Sequence, residues 1–263
     1  MLLQLSRDVF VLYSLYSDLP LAPKLYLKMY QDPVDQSLIR ADDSAIQIAF
    51  MTRVYSWMTL ALVVTALSAL FTVSTPALLN FIFGSKIVFY GLIIGELLLV
   101  GALVAAAQRM SPLVASLVFI GYSALNGLTL SAIFLLYTSG SLALTFGITA
   151  GTFAVMSIYG YTTKADLTKI GNLAFMALIG IIIASVVNFF LKSEMLYWIV
   201  SYLGVAIFVA LIAYDTQKLK DMSLSIDHSG SEGKRASILG ALTLYLDFIN
   251  LFLFLLRLFG KKD

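Results

Sequence analysis

The chain has 263 residues, of which 60% are hydrophobic and 12% are charged, and its formal net charge is +2. So few polar residues cannot cover the surface of a soluble domain, so the composition indicates a membrane protein. There is no cysteine, which excludes disulfides and thiolate metal sites, and the only histidine is His228. A histidine-based zinc site would lack ligands, so we expect no metal and no other cofactor.

The first 50 residues differ in composition from the rest and are predicted to form a partly disordered tail before a membrane domain over residues 51–263. They hold six aspartates and three prolines, and chain termini of this kind are often poorly ordered. Met29 opens a polar segment that is typical of a cytoplasmic start. Two interpretations of residues 1–28 therefore remain open: a native segment, or an extension before the native start.

Seven apolar runs follow, each about the 20 residues that cross roughly 30 Å of hydrocarbon as a helix. Backbone groups in lipid must be paired internally, so the predicted fold is an all-α bundle of seven transmembrane helices. The predicted spans cover roughly residues 54–75, 87–107, 113–137, 141–161, 171–191, 196–215 and 237–259.

The distribution of lysine and arginine predicts the orientation of these spans, because cytoplasmic loops are enriched in both. Twelve of the 17 basic residues fall on the side of the N-terminus and five on the other side. We therefore expect a cytoplasmic N-terminus and an external C-terminus. Residues 216–236 are then a long cytoplasmic loop, with Asp215 close to that face.

Two pairs of glycines have the small-xxx-small spacing that lets transmembrane helices approach closely. Gly91 and Gly95 lie in the second predicted span, and Gly147 and Gly151 lie in the fourth. We interpret both pairs as helix-packing positions.

Asp247 is the sharpest candidate for a functional acid. A charged residue at the centre of a span costs about 2.5–3.5 kcal/mol on insertion scales, and such acids tend to mark ion or proton pathways. Asp247 shares an arc of about 80° with Thr243, Asn250 and Arg257 on an otherwise apolar helix. This stripe predicts a face toward the bundle interior. The alternative is an acid neutralised by protonation or by a structural hydrogen bond.

Asp215 draws its interest from Asp247, because two carboxyls on neighbouring helices can share one proton. Alone, Asp215 could be an interfacial residue paired with Lys218. Depth argues against contact, since Asp247 lies about 15 Å into its helix while Asp215 is nominally at the cytoplasmic edge. Contact requires the sixth span to start deeper or the seventh to start later.

Three further polar side chains lie inside or beside the spans. Glu96, near the middle of the second span, is a candidate for a cation pathway or for a bond to a hydroxyl on a neighbouring helix. Arg109, at the end of that span, could reach a carboxylate or act as a positive-inside anchor. Asn126, in the third span, and Asn188, in the fifth, predict interhelical hydrogen bonds.

Several activities lack their residues. No span carries an internal lysine for a retinal Schiff base or a histidine for a Ser–His protease, and neither HExxH nor a GxxxxGK[ST] phosphate loop occurs. There is also no basic face for nucleic acid. We therefore expect a protein that is not an enzyme and has no nucleic-acid partner.

Four segments resemble the Bax inhibitor-1 (TMBIM-type) family: residues 237–252 (SILGALTLYLDFINLF), 213–219 (AYDTQKL), 123–134 (SALNGLTLSAIF) and 160–167 (GYTTKADL). The resemblance covers about residues 50–260 and is strongest to the YbhL-like bacterial inner-membrane branch. It implies a seven-helix bundle with the last helix near the centre.

The resemblance also implies a function and roles for single residues. Family members are associated with a pH-sensitive calcium leak, in which Asp215 and Asp247 match the positions of the pH-sensing pair. Glu96 matches an acid of the second helix. In some members an arginine at the end of the second helix latches the pair. That position aligns near Ala107, and the arginine that follows it is Arg109, which is therefore the candidate latch.

Two hypotheses of function follow. The first is a calcium or other cation leak channel or transporter in the bacterial cytoplasmic membrane, gated by protonation of the aspartate pair, with Glu96 and Asn250 on the ion pathway. The second is a regulatory protein that binds a membrane protease or a quality-control complex through its N-terminal tail. A proton-coupled solute transporter is favoured less, because no pair of broken helices is evident.

Overall fold

A computed structural model describes residues 36–106, 109–228 and 230–261 of the chain. The regular elements of this part are nine α-helices: α1 (Gln36–Ser74), α2 (Pro76–Phe83), α3 (Lys86–Ala106), α4 (Pro112–Leu130), α5 (Ile133–Leu136), α6 (Ser139–Thr162), α7 (Thr168–Leu191), α8 (Glu194–Ser223) and α9 (Ser231–Phe259). Contacts divide the chain between Ala45 and Ile46, and the architecture below is that of residues from Ile46 onward.

Seven helical segments in the described part are long and apolar enough to cross a membrane: α1 from Asp43, α3, α4 with α5, α6, α7, α8 and α9. The predicted all-α fold with seven candidate spans is therefore confirmed. The predicted partly disordered tail lies largely outside the described residues, although α1 already begins at Gln36 instead of residue 54. The short helix α2 was not predicted.

The predicted long loop over residues 216–236 is wrong. Helix α8 continues to Ser223 and α9 begins at Ser231, so the connection shrinks to residues 224–230. The polar run after Asp215 looks like a helix exit in sequence because it carries two lysines. Its side chains find partners on other segments, and the helix continues.

Short polar residues set several helix starts. Ser111 precedes Pro112 of α4, and its hydroxyl accepts the Val114 amide at 3.3 Å. Ser193 caps α8 in the same way through the Leu196 amide at 3.3 Å. These side chains satisfy amides that would otherwise lack an acceptor at the membrane boundary.

Helix α9 is the centre of the bundle, as predicted. In its most apolar window 72% of the residues are buried, against at most 39% in any other candidate span of the described part. It packs against α4, α6 and α8. The middle of α9 is enclosed by neighbouring helices, so Asp247 and Tyr245 must find their environment among them.

Two close approaches between helices occur at glycines beside α8. A Cβ on Gly160 of α6 would meet the backbone of Ala213, and a Cβ on Gly171 of α7 would meet the ring of Tyr214. Both neighbours directly precede Asp215. Helices α6 and α7 therefore fix the position of this part of α8 through direct contact.

The small-xxx-small pairs do not lie at such contacts. A Cβ on Gly91, Gly95, Gly147 or Gly151 would meet no atom within 4 Å. Their interpretation as packing positions is therefore wrong within this bundle. The spacing predicts only that two glycines share a helix face, and the tertiary arrangement decides whether another helix lies there.

Candidate functional site: a carboxyl pair beside a polar network

The carboxyl groups of Asp215 on α8 and Asp247 on α9 lie within hydrogen-bonding range of each other. Asp247 is only 5% exposed, and Asp215 is half-buried. The contact is possible because α8 extends past Asp215 by eight residues, or about 12 Å. The expected conflict in depth is thereby removed, since Asp215 lies inside a helix and not at its end.

The pair has little support from other side chains. Asp247 Oδ2 has no hydrogen-bond partner among the residues that the structure describes. Lys218, one turn after Asp215, interacts with that carboxylate electrostatically but is itself exposed. Within the described ranges neither acid forms a salt bridge. When no cation forms a salt bridge with either of two acids in contact, ionising both is unfavourable because the two negative charges repel. A shared proton therefore suits this site.

Just beyond Asp215, side chains of α8 form hydrogen bonds with the end of α6 and with the connection that follows it. The Gln217 side chain accepts from the Leu167 amide at 2.9 Å and donates to the Ala165 carbonyl at 2.8 Å. Lys220 Nζ donates to the Tyr161 carbonyl at 3.0 Å and lies 5.7 Å from the centre of that ring. These bonds attach the α6–α7 connection to α8 and explain why the helix continues through a polar run.

A second polar centre is built around Glu96 of α3. Its Oε1 accepts from the Thr129 hydroxyl at 2.7 Å and its Oε2 accepts from the Asn126 amide nitrogen at 3.1 Å. Both donors are on α4, three residues apart, and so share one face of that helix. Glu96 is half-buried. The expected bond to a neighbouring hydroxyl is present, and so is the predicted interhelical bond of Asn126.

Tyr245 of α9 extends this network to the bundle centre. Its hydroxyl donates to Asn126 Oδ1 at 3.0 Å and lies 2.7 Å from the Thr65 hydroxyl of α1. Its ring packs edge-on against Phe119 and Tyr122 at 5.8 and 5.9 Å. A continuous line of hydrogen bonds therefore joins α3, α4, α9 and α1, and it reaches α9 two residues before Asp247.

The remaining candidate residues are not joined to these centres by any described bond. Asn250 donates to the Leu246 carbonyl of its own helix at 2.8 Å. Thr243 similarly donates to the Leu239 carbonyl at 3.2 Å. Arg257 is exposed, 5.1 Å from the centre of the Phe254 ring.

Arg109 lies in the turn after α3, where its side chain is exposed. In the described ranges it makes no ion pair with Asp215 or Asp247. Among the described residues, the Asn188 side chain does not bond to another helix as predicted; its Oδ1 accepts the Ser193 amide at 2.9 Å in the connection after α7.

Sequence reasoning missed Tyr245, Thr65, Thr129 and Gln217. Thr129 had a usable signal, because it lies one turn from Asn126 and the two share a face. Tyr245 had none, since an aromatic residue in a span is usually a packing residue. Gln217 was assigned to a loop, and its role depends on two backbone groups that lie about fifty residues away in the chain.

The site offers carboxylates but no closed metal cage. The described residues include no group of three or more acidic, histidine or cysteine side chains arranged to hold a metal ion. Calcium prefers six to eight oxygen ligands. An ion at Asp215 and Asp247, or at Glu96, would therefore keep much of its water.

Fold and site together define an all-helical membrane protein with seven candidate spans and ionisable groups inside its bundle. A family model described as "Inhibitor of apoptosis-promoting Bax1" matches residues 47–263. The inner membrane protein YbhL of Escherichia coli strain K12 is 55% identical over 214 residues, which cover 81% of this chain and 92% of that protein. The chain therefore belongs to the Bax inhibitor-1 family, which confirms the resemblance.

Two further bacterial proteins match over a similar length of the chain. One from Borreliella burgdorferi is 44% identical over 217 residues, covering 82% of this chain and 94% of its own length. One from Deinococcus radiodurans is 42% identical over 214 residues, covering 81% and 91%.

Proposed function

We propose that the protein is a pH-sensitive cation leak channel or transporter of the bacterial cytoplasmic membrane, with calcium as its main cation. The observation that carries this proposal is the contact between Asp215 and Asp247 inside the bundle. Acids at such a position are costly, and they tend to mark ion or proton pathways. The inner-membrane description of the Escherichia coli relative supports the location.

The gating step is electrostatic. With one shared proton the two carboxyls attract each other and hold α8 against α9. When the pH rises and that proton leaves, two negative charges about 4 Å apart repel by about 4 kcal/mol at an effective dielectric constant of 20. A repulsion of this size is enough to change the equilibrium ratio between two arrangements of α8 and α9 by about a thousandfold. The helices separate and water hydrates the charges.

Glu96 and Asn250 are the proposed residues of the ion route. Glu96 is held by two donors from α4, so its carboxylate keeps a defined position while remaining half-buried. A fixed carboxylate attracts a divalent cation without enclosing it. Arg109 is proposed as a latch only for a state other than the described one, in which the two carboxyls are in contact while Arg109 is exposed and forms no ion pair with either acid.

The test is calcium flux into proteoliposomes between pH 5 and 8, with a calcium dye inside the vesicles. We expect flux to rise with pH in the wild type. Asp215→Asn and Asp247→Asn should remove most of that pH dependence. Asp221→Asn is the matched control, because Asp221 is also on α8 but exposed. Unchanged flux and pH dependence in both pair variants would contradict the gate.

The proposed orientation places the N-terminus in the cytoplasm and the C-terminus outside. The natural absence of cysteine allows a direct test with single introduced thiols. Ser225→Cys and Ser139→Cys occupy exposed positions at the ends of α8 and α6. In intact cells an impermeant thiol reagent should label Ser139→Cys alone, and labelling of Ser225→Cys alone would reverse the orientation.

The alternative function, binding of a membrane protease or quality-control complex, rests on the N-terminal tail. Deletion of residues 1–45 separates the two proposals. Loss of partner capture with intact flux supports the regulatory role, and loss of flux with intact capture supports the leak.

A further inference from the structure

A cleft of about 430 Å³ opens where the starts of α4 and α9 meet the middle of α1 at Arg53. It is separate from the carboxyl pair and from the Glu96 network. Its lining includes Arg53 and Trp57 of α1, Pro112 and Ser116 of α4, and Lys234 and Ser237 of α9.

Two cations from different helices face this cleft without a described counter-charge. No acidic residue lines it. Among the residues that the structure describes, neither Arg53 nor Lys234 forms an ion pair. Two like charges placed around one cavity repel each other, and an anion between them removes that repulsion. The lining therefore fits an anionic group.

The surroundings of the cleft add positive potential. Arg235, next to Lys234, donates to the Met110 carbonyl at 3.4 Å and to the Ser231 hydroxyl at 3.1 Å. The start of α4 at Pro112 contributes the partial positive charge of a helix N-terminus. Basic side chains and a helix end thus converge on one rim.

The depth of the cleft matches the headgroup region of a bilayer. About 20 residues of α1 are enough to cross the hydrocarbon, so a span that ends at Ser74 starts close to Arg53. Trp57 lies one turn further into the helix, and tryptophan is enriched at the interface. Leu113, another lining residue, is 67% exposed. A ligand here would meet charge at one end and an apolar surface at the other.

We propose that this cleft binds the phosphate group of an anionic phospholipid, with Arg53 and Lys234 as its two cationic contacts. The acyl chains lie along the apolar surface that begins at Trp57 and Leu113. Basic pockets between transmembrane helices are suited to such headgroups. A free phosphate ion would use the cations but not the apolar end.

The experiment measures thermal unfolding of the full chain in detergent while a lipid is added. Phosphatidylglycerol is compared with phosphatidylcholine of the same acyl chains and with inorganic phosphate. We expect phosphatidylglycerol to raise the melting temperature most. In Arg53→Gln/Lys234→Gln the half-saturating concentration of phosphatidylglycerol should rise about thirtyfold, since the loss of each basic residue near a headgroup weakens binding about five- to sixfold.

Lys86→Gln/Lys164→Gln is the matched control, because it removes two exposed cations from other parts of the surface. It should retain the wild-type response. Native mass spectrometry of co-purified lipid gives a second readout that does not depend on the melting temperature of the variant. The double cleft variant should retain less phosphatidylglycerol than the control.

Three outcomes would overturn the proposal. Equal stabilisation by phosphatidylglycerol and phosphatidylcholine would remove the role of charge. Stabilisation by inorganic phosphate to the same extent would indicate a free anion instead of a lipid. Undiminished retention of phosphatidylglycerol by the double cleft variant would place the bound lipid elsewhere.

Discussion

The Tyr245 hydroxyl donates to Asn126 Oδ1 at 3.0 Å, and the amide nitrogen of the same asparagine donates to Glu96 at 3.1 Å. Asn126 thus joins the central helix α9 to the acid on α3. Because a side-chain amide presents one acceptor and two donors, both contacts can exist together only in this orientation. Each predicted effect of changing the network depends on this geometry.

Tyr245→Phe removes the hydroxyl and keeps the ring between Phe119 and Tyr122. Asn126 and Thr65 then each lose a buried hydrogen-bond contact, so we expect a loss of about 0.5–2 kcal/mol in the free energy of unfolding. Denaturant titration in detergent measures it. Tyr202→Phe on α8 is the control, since that side chain is 63% exposed. Equal stability of Tyr245→Phe and wild type would show that the hydroxyl contributes nothing.

Glu96→Gln should leave the fold intact while removing the charge. Thr129 lies 3.0 Å from the Asn126 carbonyl as well as 2.7 Å from Glu96. Its hydroxyl can therefore donate to that carbonyl and accept from a glutamine amide. We expect unfolding free energies within about 1 kcal/mol of wild type.

The consequence for transport is the opposite. A neutral amide attracts a divalent cation far less than a carboxylate does, so calcium flux through Glu96→Gln should fall at least about tenfold. Proteoliposome flux at a single pH above 7 measures it. Wild-type flux from a stable Glu96→Gln protein would exclude Glu96 from the ion route.

Gly160→Ala should destabilise the bundle, because the new methyl group meets the backbone of Ala213. Backbone cannot move aside as a flexible side chain can, so we expect a loss of about 1–3 kcal/mol. Gly151→Ala on the same helix is the matched control, since a Cβ there meets nothing within 4 Å. Thermal unfolding of both variants measures the difference, and similar melting temperatures would contradict the close approach of α6 and α8.

The turn before α7 should respond to acid. The hydrogen bond from the Thr168 side chain, together with its backbone amide at 2.9 Å, holds the pKa of Asp166 below its ordinary value of 3.8. A lowered pKa in the folded state stabilises the turn above the ordinary value, and that contribution disappears as the pH falls through the lower folded value. Hydrogen exchange at the Thr168 amide should therefore gain protection from Asp166 only above this range.

Asp166→Asn tests that sign. Asparagine still offers an oxygen to the amide but does not titrate, so the extra, pH-dependent protection should vanish while exchange elsewhere on α7 is unchanged. A wild-type amide whose protection, corrected for intrinsic exchange, is the same at pH 2.5 and pH 5 would contradict the ionised Asp166 contact.

The extent to which sequence predicts this protein differs between fold and site. Apolar runs about 20 residues long determine the seven candidate spans, because lipid requires every backbone group in a span to be bonded within it. Asp247 was found for the same reason, since an acid is conspicuous in an apolar helix. The helix end predicted at Asp215 was wrong, because the helix continues through contacts with distant residues, such as the bond from Lys220 to the Tyr161 carbonyl.

The amino-acid sequence alone thus determined the class of protein, the number of spans and the inward position of Asp247, all of which follow from local hydrophobicity and helical period, whereas Arg257 of the same predicted stripe is exposed. Only the tertiary structure decided that α8 continues to Ser223, that Asp215 meets Asp247, and that Tyr245 completes a network with Glu96. It also decided that close approach occurs at Gly160 and not at the glycine pairs. Period and composition determine what a helix face contains, whereas the partner of that face depends on how helices far apart in sequence pack together.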